Sequence, residues 1–383
     1  MRLAAFVAAC ALLLSFPAVA VARSDNGDAH AASVCPGPAD PGSARCHAQV
    51  LTDGATPLTG TSPTGLSPAT IKSAYGFSTL DTAGAGKTIA IVDAYDDPTA
   101  ESDLAVFSST FGLPACTTAN GCFKKVDQNG GTKYPRSNAG WALEISLDIQ
   151  WAHAIAPGAK ILLVEAKTNS FANLLAAEDY AKANAQYVSN SWGGGESSGE
   201  SANDAHFAQA GVSFFVSSGD AGLPAEYPSS SPNVISVGGT TLHFDGSGNF
   251  TSETGWSSGG GGCSAFETAT SAQSSFGEYA QAGCGGARAT PDVSLDADPA
   301  SGVSVYDTTR YNGSKGWFTV GGTSASSPMW AGRSAVAGVQ VDATYVYGGA
   351  ISYRDITTGN NGAPCLVGFD LCSGRGSWTG ATP

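Results

Sequence analysis

Short apolar runs that alternate with helical patterns constrain the fold of this chain more than any other feature. The runs are near-continuous rather than alternating, which is typical of strands buried on both faces. They occupy residues 87–93, 160–166, 187–192, 212–217 and 233–238, and helical patterns lie between them at 141–156, 171–183 and 201–210. This order predicts an α/β fold with a mostly parallel central sheet and helices on both faces.

The segments outside this pattern differ from it in composition. Residues 240–300 are rich in glycine and serine and predict long loops, and the last two strands are expected at 302–306 and 316–320. Residues 23–67 are rich in proline, glycine, alanine and serine and predict an N-terminal extension, either a short prosegment or a permanent brace. Nothing repeats internally, so residues 68–383 are expected to form one domain.

The first 22 residues predict a secretory signal peptide. Arg2 precedes an apolar run at 3–14, and small residues at 18–22 resemble a cleavage site. Eight of the nine cysteines lie beyond this segment, an even number that fits an oxidising, extracellular compartment. Spacing leaves the connectivity open, but we expect the close couples to be the bridges: Cys35–Cys46, Cys116–Cys122, Cys263–Cys284 and Cys365–Cys372.

The charge balance excludes some classes of partner. The chain has 32 acidic and 18 basic residues, a formal net charge of −14, and only 13% charged residues. Such an acidic surface argues against binding to nucleic acid or to an anionic membrane. It suits a protein that works at low pH.

A serine near the C-terminus stands where a nucleophile could be presented. Residues 318–328, FTVGGTSASSP, read as a strand, two glycines, and a helix that begins near Thr323 and Ser324. A strand-to-helix junction of this kind exposes a serine hydroxyl, and the glycines allow close approach of another chain. The alternative is that Thr323 and Ser324 only cap the helix.

The candidate base for Ser324 is a carboxylate pair and not a histidine. The helical pattern at 141–156 places Glu144 and Asp148 on one side, with His153 on the opposite, polar side, where it is expected to be solvated. Two carboxylates on a buried face can share a proton, which leaves one as acceptor at mildly acidic pH. Asp220, in SSGDAG after an apolar run, could donate to an oxyanion if protonated; the alternative is an ordinary turn aspartate.

These three motifs, in this order, resemble the sedolisin family of serine-carboxyl peptidases. The resemblance covers roughly residues 65–380 and implies a subtilisin-like fold. It implies Ser324 as nucleophile, Glu144 as base, Asp148 as the partner of that base and Asp220 as oxyanion donor. Family precursors usually carry a long folded propeptide, whereas here we expect only about 45 residues, 23–67, between the signal peptide and the core.

The resemblance extends to the cleft and to a metal site. SNSWGG at 189–194 resembles the family's strand end beside the substrate, which implicates Trp192 and Gly193. Asp93 resembles an acid that some members link to that tryptophan and to the base. Near the C-terminus the residues that resemble the family's structural Ca²⁺ site are Asp355, Ile356, Leu366, Gly368 and Asp370, although the family usually has glycine where Leu366 stands.

We therefore predict a secreted, monomeric endopeptidase that cleaves protein or peptide substrates at acidic pH through an acyl-enzyme on Ser324. One alternative is a subtilisin-type protease that uses His153 with Asp93. Another is a binding protein on a protease fold that has lost its activity.

Overall fold

The computed structural model describes residues 29–380, so the predicted signal peptide lies outside the described residues. The strands are β1 Ala29–Ser33, β2 Arg45–Cys46, β3 Gln49–Asp53, β4 Thr56–Pro57, β5 Thr59–Gly60, β6 Thr88–Ala94, β7 Phe123–Asp127, β8 Lys160–Ala166, β9 Tyr187–Asn190, β10 Trp192–Gly195, β11 Ser213–Ser217, β12 Glu226–Tyr227, β13 Ile235–Phe244, β14 Phe250–Gly255, β15 Gly262–Thr268, β16 Ala287–Thr290, β17 Val293–Asp296, β18 Val303–Tyr311, β19 Ser314–Gly321, β20 Tyr353–Arg354 and β21 Ser377–Trp378. The α-helices are α1 Pro68–Tyr75, α2 Ala100–Phe111, α3 Ala139–Ile155, α4 Phe171–Asn184, α5 Ser271–Ser274, α6 Thr323–Ala337 and α7 Ala343–Tyr347.

A ten-stranded sheet forms the centre of the molecule. Its main path runs β20-β21-β17-β13-β11-β9-β6-β8-β7, and β14 pairs with β13. All neighbours from β7 to β21 are parallel, and only β14 and β20 join antiparallel. The predicted parallel sheet is confirmed, and its strands are buried because helices cover both faces.

Helix α3 runs through the interior. Asn138 caps it by accepting hydrogen bonds from the backbone N–H groups of Gly140 and Trp141. Every residue from Trp141 to Ile155 is buried, because α2, α6 and β18 all pack against this helix. The predicted polar face of α3 is therefore wrong: Gln150 donates to the Tyr306 carbonyl oxygen at 2.7 Å instead of facing water.

Two further sequence predictions need correction. The pattern at 201–210 forms a 3₁₀ helix, Glu200–Phe207, and not an α-helix. The glycine- and serine-rich stretch 240–300 is more ordered than predicted, because it contributes β14, β15, β16 and β17, and β17 belongs to the central sheet. Its strands are only four to seven residues long and are separated by glycine-rich segments, so they lack a clear period of two.

The N-terminal extension is built into the same body as the rest. Strand β3 pairs with β19, the strand that leads to Ser324, and also with β1 and β4. Strand β2 pairs with β10, beyond the central sheet's β9. All four nearest-neighbour disulfides are confirmed. Between residues 29 and 380, no helix combines the length and apolarity needed to cross a bilayer.

Candidate active site

Ser324 lies in the first turn of α6. The residue before the helix is Gly322, whose φ of 93° few other residues adopt, and neither Thr323 nor Ser324 is the capping residue. The interpretation of Thr323 and Ser324 as caps is therefore wrong. The Ser324 Oγ lies 3.4 Å from the carbonyl oxygen of Ser191 at the end of β9. The two glycines before the helix thus bring the serine against a strand edge.

The carboxyl of Glu144 lies beside this hydroxyl. Its Oε2 accepts the backbone N–H of Ala48 at 2.8 Å, and its Oε1 is buried without a hydrogen bond of ordinary geometry. Burial and the charge of Asp148 raise the pKa of Glu144 well above its usual range, and the nearby Ser324 hydroxyl works against that rise. Such a carboxyl holds its proton more tightly than a solvated one, and it is close enough to act on Ser324.

Two more acids lie behind Glu144. The Asp148 carboxylate accepts the Ser191 hydroxyl at 2.9 Å, and its other oxygen is unpaired. Burial and the charge of Asp93 raise the pKa of Asp148 well above normal. Asp93 is itself buried with neither oxygen hydrogen-bonded, and burial and the charge of Glu144 raise its pKa likewise. Like charges this close favour shared protons within the group.

Asp220 faces the nucleophile from the loop after β11. Its Oδ1 accepts the N–H of Thr323 at 2.8 Å and the Thr323 hydroxyl at 2.9 Å. Its Oδ2 is buried and unpaired. Burial raises the pKa of Asp220 to about 6, although His47 and the bonds from Thr323 oppose the rise. This pKa favours the protonated carboxyl at acidic pH, and Oδ2 is the oxygen that accepts no hydrogen bond.

The structure brings the predicted strand end to the same place. Trp192 is fully buried, and its indole N–H donates to the Val92 carbonyl oxygen at 2.8 Å, not to Asp93 as the resemblance implied. Gly193 lies against the imidazole of His47: a Cβ built on it would lie 2.8 Å from His47 Cε1. The segment that ends β9 and begins β10 therefore lies beside Ser324, whose hydroxyl contacts the Ser191 carbonyl oxygen.

The sequence profile described as the subtilase family matches residues 125–342, more than half of the chain. The chain belongs to the subtilase family. Two curated relatives are kumamolisin of Bacillus sp. (strain MN-32), 32% identical over 82% of this chain, and xanthomonalisin of Xanthomonas sp. (strain T-22), 30% identical over 72%. The chain spans only 62% and 41% of their respective lengths.

Solved structures place this subtilase near the sedolisins. Pseudomonas sedolisin, a serine-carboxyl proteinase in complex with pseudo-iodotyrostatin, is 28% identical, with a TM-score of 0.69 over 83% of this chain and 96% of that one. A psychrophilic protease at 19% identity and a TM-score of 0.55 shares the fold, over 83% of this chain and 99% of that one. The predicted subtilisin-like fold and the resemblance to sedolisins are confirmed.

The prediction that His153 is solvated is wrong, because its side chain is buried. Its Nε2 lies 2.9 Å from the Pro114 carbonyl oxygen, close to the Cys116–Cys122 disulfide. Burial lowers the pKa of His153. Side chains on opposite sides of α3 point in different directions, so the histidine is directed away from Glu144, which faces Ser324.

Two of the predicted calcium ligands, Asp355 and Asp370, accept hydrogen bonds from the loop closed by Cys365–Cys372. Asp355 accepts the N–H of Gly368 at 2.9 Å, and Asp370 accepts the N–H of Leu366 at 2.6 Å, so both carboxylates face one short loop. Ile356 is buried beside it. Leu366 is not in a left-handed conformation, so the site does not need glycine there. Carboxylate oxygens are ligands that a hard cation prefers, so Asp355 and Asp370 are the residues here that could bind one.

Sequence reasoning missed residues that lie close to the candidate site. His47, Ser217 and Glu226 form a hydrogen-bonded group beside Ser324, and none was singled out as a site residue. The three lie in separate segments, so no local spacing connects them. The one available signal was His47 itself, a histidine next to a cysteine in the extension.

Proposed function

We propose that this subtilase is a serine endopeptidase that hydrolyses peptide bonds in proteins through an acyl-enzyme on Ser324. The observation that carries the proposal is the convergence of one hydroxyl and three acids from separate segments. Glu144 and Asp148 approach from α3, and Asp220 approaches from the loop after β11. Acyl transfer needs three groups around a nucleophile: a proton acceptor, a partner for that acceptor, and a hydrogen-bond donor to the oxyanion.

The proposed reaction moves one proton in and out of the acid pair. Glu144 accepts the Ser324 proton while Oγ attacks the substrate carbonyl carbon, and protonated Asp220 donates to the developing oxyanion. Glu144 then returns the proton to the leaving amine, which leaves an ester on Ser324. Water hydrolyses the ester with Glu144 again as base, and the serine hydroxyl is restored.

We expect this chemistry to run at acidic pH. Asp220 donates only while protonated, and burial raises the pKa of Asp220 to about 6. Activity should therefore fall as the pH rises through about 6. The acid pair must retain one acceptor, which sets a limit at lower pH. Secretion fits this proposal, because the expected signal peptide and the four disulfides both point to an oxidising compartment.

Hydrolysis of denatured casein at pH 3–7 tests the proposal. Ser324→Ala and Glu144→Ala should each abolish hydrolysis, while His153→Ala should retain it in protein that circular dichroism shows to be folded. Loss in His153→Ala alone would instead favour a histidine-dependent protease. Absence of hydrolysis by the unmodified protein would favour a binding protein.

A structural Ca²⁺ ion held by Asp355, Asp370 and the carbonyls of Ile356, Leu366 and Gly368 is part of the proposal. An ion bound only to the folded chain raises the melting temperature. EGTA should therefore lower it, and Asp370→Asn should remove that response. A melting temperature that is the same with Ca²⁺ and with EGTA would contradict the site.

A further inference from the structure

Arg333 is a buried cation to which the described part of the chain offers no hydrogen-bond acceptor. The residue is 1% exposed, and between residues 29 and 380 nothing accepts a hydrogen bond from its Nε, Nη1 or Nη2. A guanidinium has five N–H groups and keeps its proton in proteins. Burial lowers the pKa of Arg333 to about 10, so the side chain is still charged at acidic and neutral pH.

Arg288 shows how this chain buries its other guanidinium of similar exposure. That residue is 2% exposed, and its Nη1 donates to Asp292 Oδ1 at 2.7 Å and to the Ala289 carbonyl oxygen at 2.8 Å. Its Nη2 donates to the second oxygen of Asp292. A carboxylate thus balances the charge of Arg288, whereas Arg333 forms no ion pair with any residue that the structure describes.

Aromatic rings lie next to the guanidinium of Arg333 but do not replace acceptors. Its Cζ lies 4.0 Å from the ring centre of Trp378 and 5.7 Å from that of Phe77. An aromatic face attracts a cation, but it offers none of the lone pairs that N–H groups need. The N–H groups of Arg333 therefore still need an acceptor.

This group of residues lies where three segments meet, away from the nucleophile. Arg333 belongs to α6, Phe77 follows α1, and Trp378 is the last residue of β21. Ser324 is nine positions before Arg333 on the same helix, about 14 Å along its axis. The site is therefore distinct from the candidate active site.

A small anion is the ligand that these surroundings fit. A charge that is removed from water without a partner is strongly unfavourable, and an anion supplies both the counter-charge and the acceptors. Water accepts hydrogen bonds but leaves the charge unbalanced. Arg333, Trp378 and Phe77 are each at most 4% exposed, which favours a small ion over a larger ligand. A single cation matches a single negative charge.

We propose that Arg333, next to the rings of Trp378 and Phe77, binds a small monovalent inorganic anion such as chloride. The ion accepts hydrogen bonds from the guanidinium and stabilises the contact of α6 with β21 and with the segment after α1. An anion that binds only the folded chain raises its melting temperature. This site does not depend on the proposed endopeptidase function.

Melting temperatures measured while chloride replaces gluconate at constant ionic strength test the site. Ser324→Ala is the parent protein, which prevents self-digestion. Above the Kd of the ion, each tenfold increase in chloride should raise the melting temperature by about 2 °C for a domain of this size. Adding Arg333→Met should abolish this response, and the matched control Arg310→Met, at an exposed arginine, should keep it. A chloride response that is unchanged in Arg333→Met would overturn the proposal.

Bromide locates the ion directly and does not require the Arg333→Met variant to fold. Crystals of the parent protein soaked in sodium bromide should give an anomalous difference peak within hydrogen-bonding distance of the Arg333 guanidinium. A water molecule or a protein oxygen at that position, without an anomalous peak, would overturn the proposal. A bromide peak in crystals of a protein whose melting temperature does not respond to chloride would overturn it as well.

Discussion

At the scale of single residues, the same residue type takes different roles because its surroundings differ. Asp220 accepts two hydrogen bonds on Oδ1 and keeps Oδ2 unpaired, which suits a donor once protonated. Glu144 and Asp148 are fully buried beside each other, which suits a pair that shares a proton. Burial, neighbouring charge and hydrogen bonds set these differences, and not the side chain itself.

Asp220 gives a prediction with a defined sign. Asp220→Ala should lower kcat by on the order of 10²–10³, the usual effect of removing an oxyanion donor. Asp220→Asn should lose less, because its amide donates at every pH, and its activity should persist above pH 6, where wild-type activity falls. The pH dependence of kcat measures both effects. An Asp220→Asn profile that falls at the same pH as wild type would contradict the role of this proton.

The sequence predicted the four catalytic candidates because each lies in a local motif with a recognisable context. It did not predict His47 or Glu226, which are 179 residues apart and meet because β2 and β12 both pair with β10. It also placed His153 in solvent, since the helix period alone indicates a polar face. That period reports which side chains share a face and not whether a further layer covers it.

At the scale of elements, the site depends on the packing of α3 against α6. One helix carries the acids and the other carries the serine, so their separation fixes the catalytic distances. Gly332 of α6 is at this contact: a Cβ there would lie 2.9 Å from Ile155 Cβ and 3.2 Å from the Ala152 carbonyl oxygen. Small residues at such a crossing allow close approach of the two helices.

Gly332→Ala should therefore destabilise the protein, even though alanine favours a helix. Overpacking of this kind costs about 1–3 kcal/mol of stability. Replacing glycine by alanine within a helix gains roughly 1 kcal/mol, so the cost outweighs the gain over most of that range. We expect a lower melting temperature and a lower kcat, because the acids shift relative to Ser324. Gly277→Ala, where a Cβ meets nothing within 4 Å, is the control and should change neither. A more stable Gly332→Ala variant would contradict this packing.

At the scale of the whole molecule, buried acids tie stability to pH. Burial raises the pKa of Glu178 to about 8 and the pKa values of Glu165 and Asp307 to about 9. In the unfolded chain these groups titrate at about pH 4. The folded state thus binds more protons than the unfolded state between these limits. The contribution of the three acids to the free energy of unfolding is therefore complete below pH 4 and is lost as the pH rises to 8–9.

The melting temperature should accordingly fall between pH 5 and pH 9, by more than about 5 °C. Calorimetry across this range, on the inactive Ser324→Ala variant to prevent self-digestion, measures it. Glu178→Gln removes one titrating group and should flatten the fall. A melting temperature that rises from pH 5 to pH 9 would contradict the assignment of these acids as neutral in the folded protein.

The most direct test of the central claim is peptide mapping of the enzyme quenched with acid during turnover of a peptide ester at pH 4–5. If the carboxyl pair activates the serine, the acyl group should be found on Ser324, and Glu144→Gln should reduce its formation to background while His153→Gln does not. An acyl group on another residue, or normal acylation in Glu144→Gln, would contradict the account.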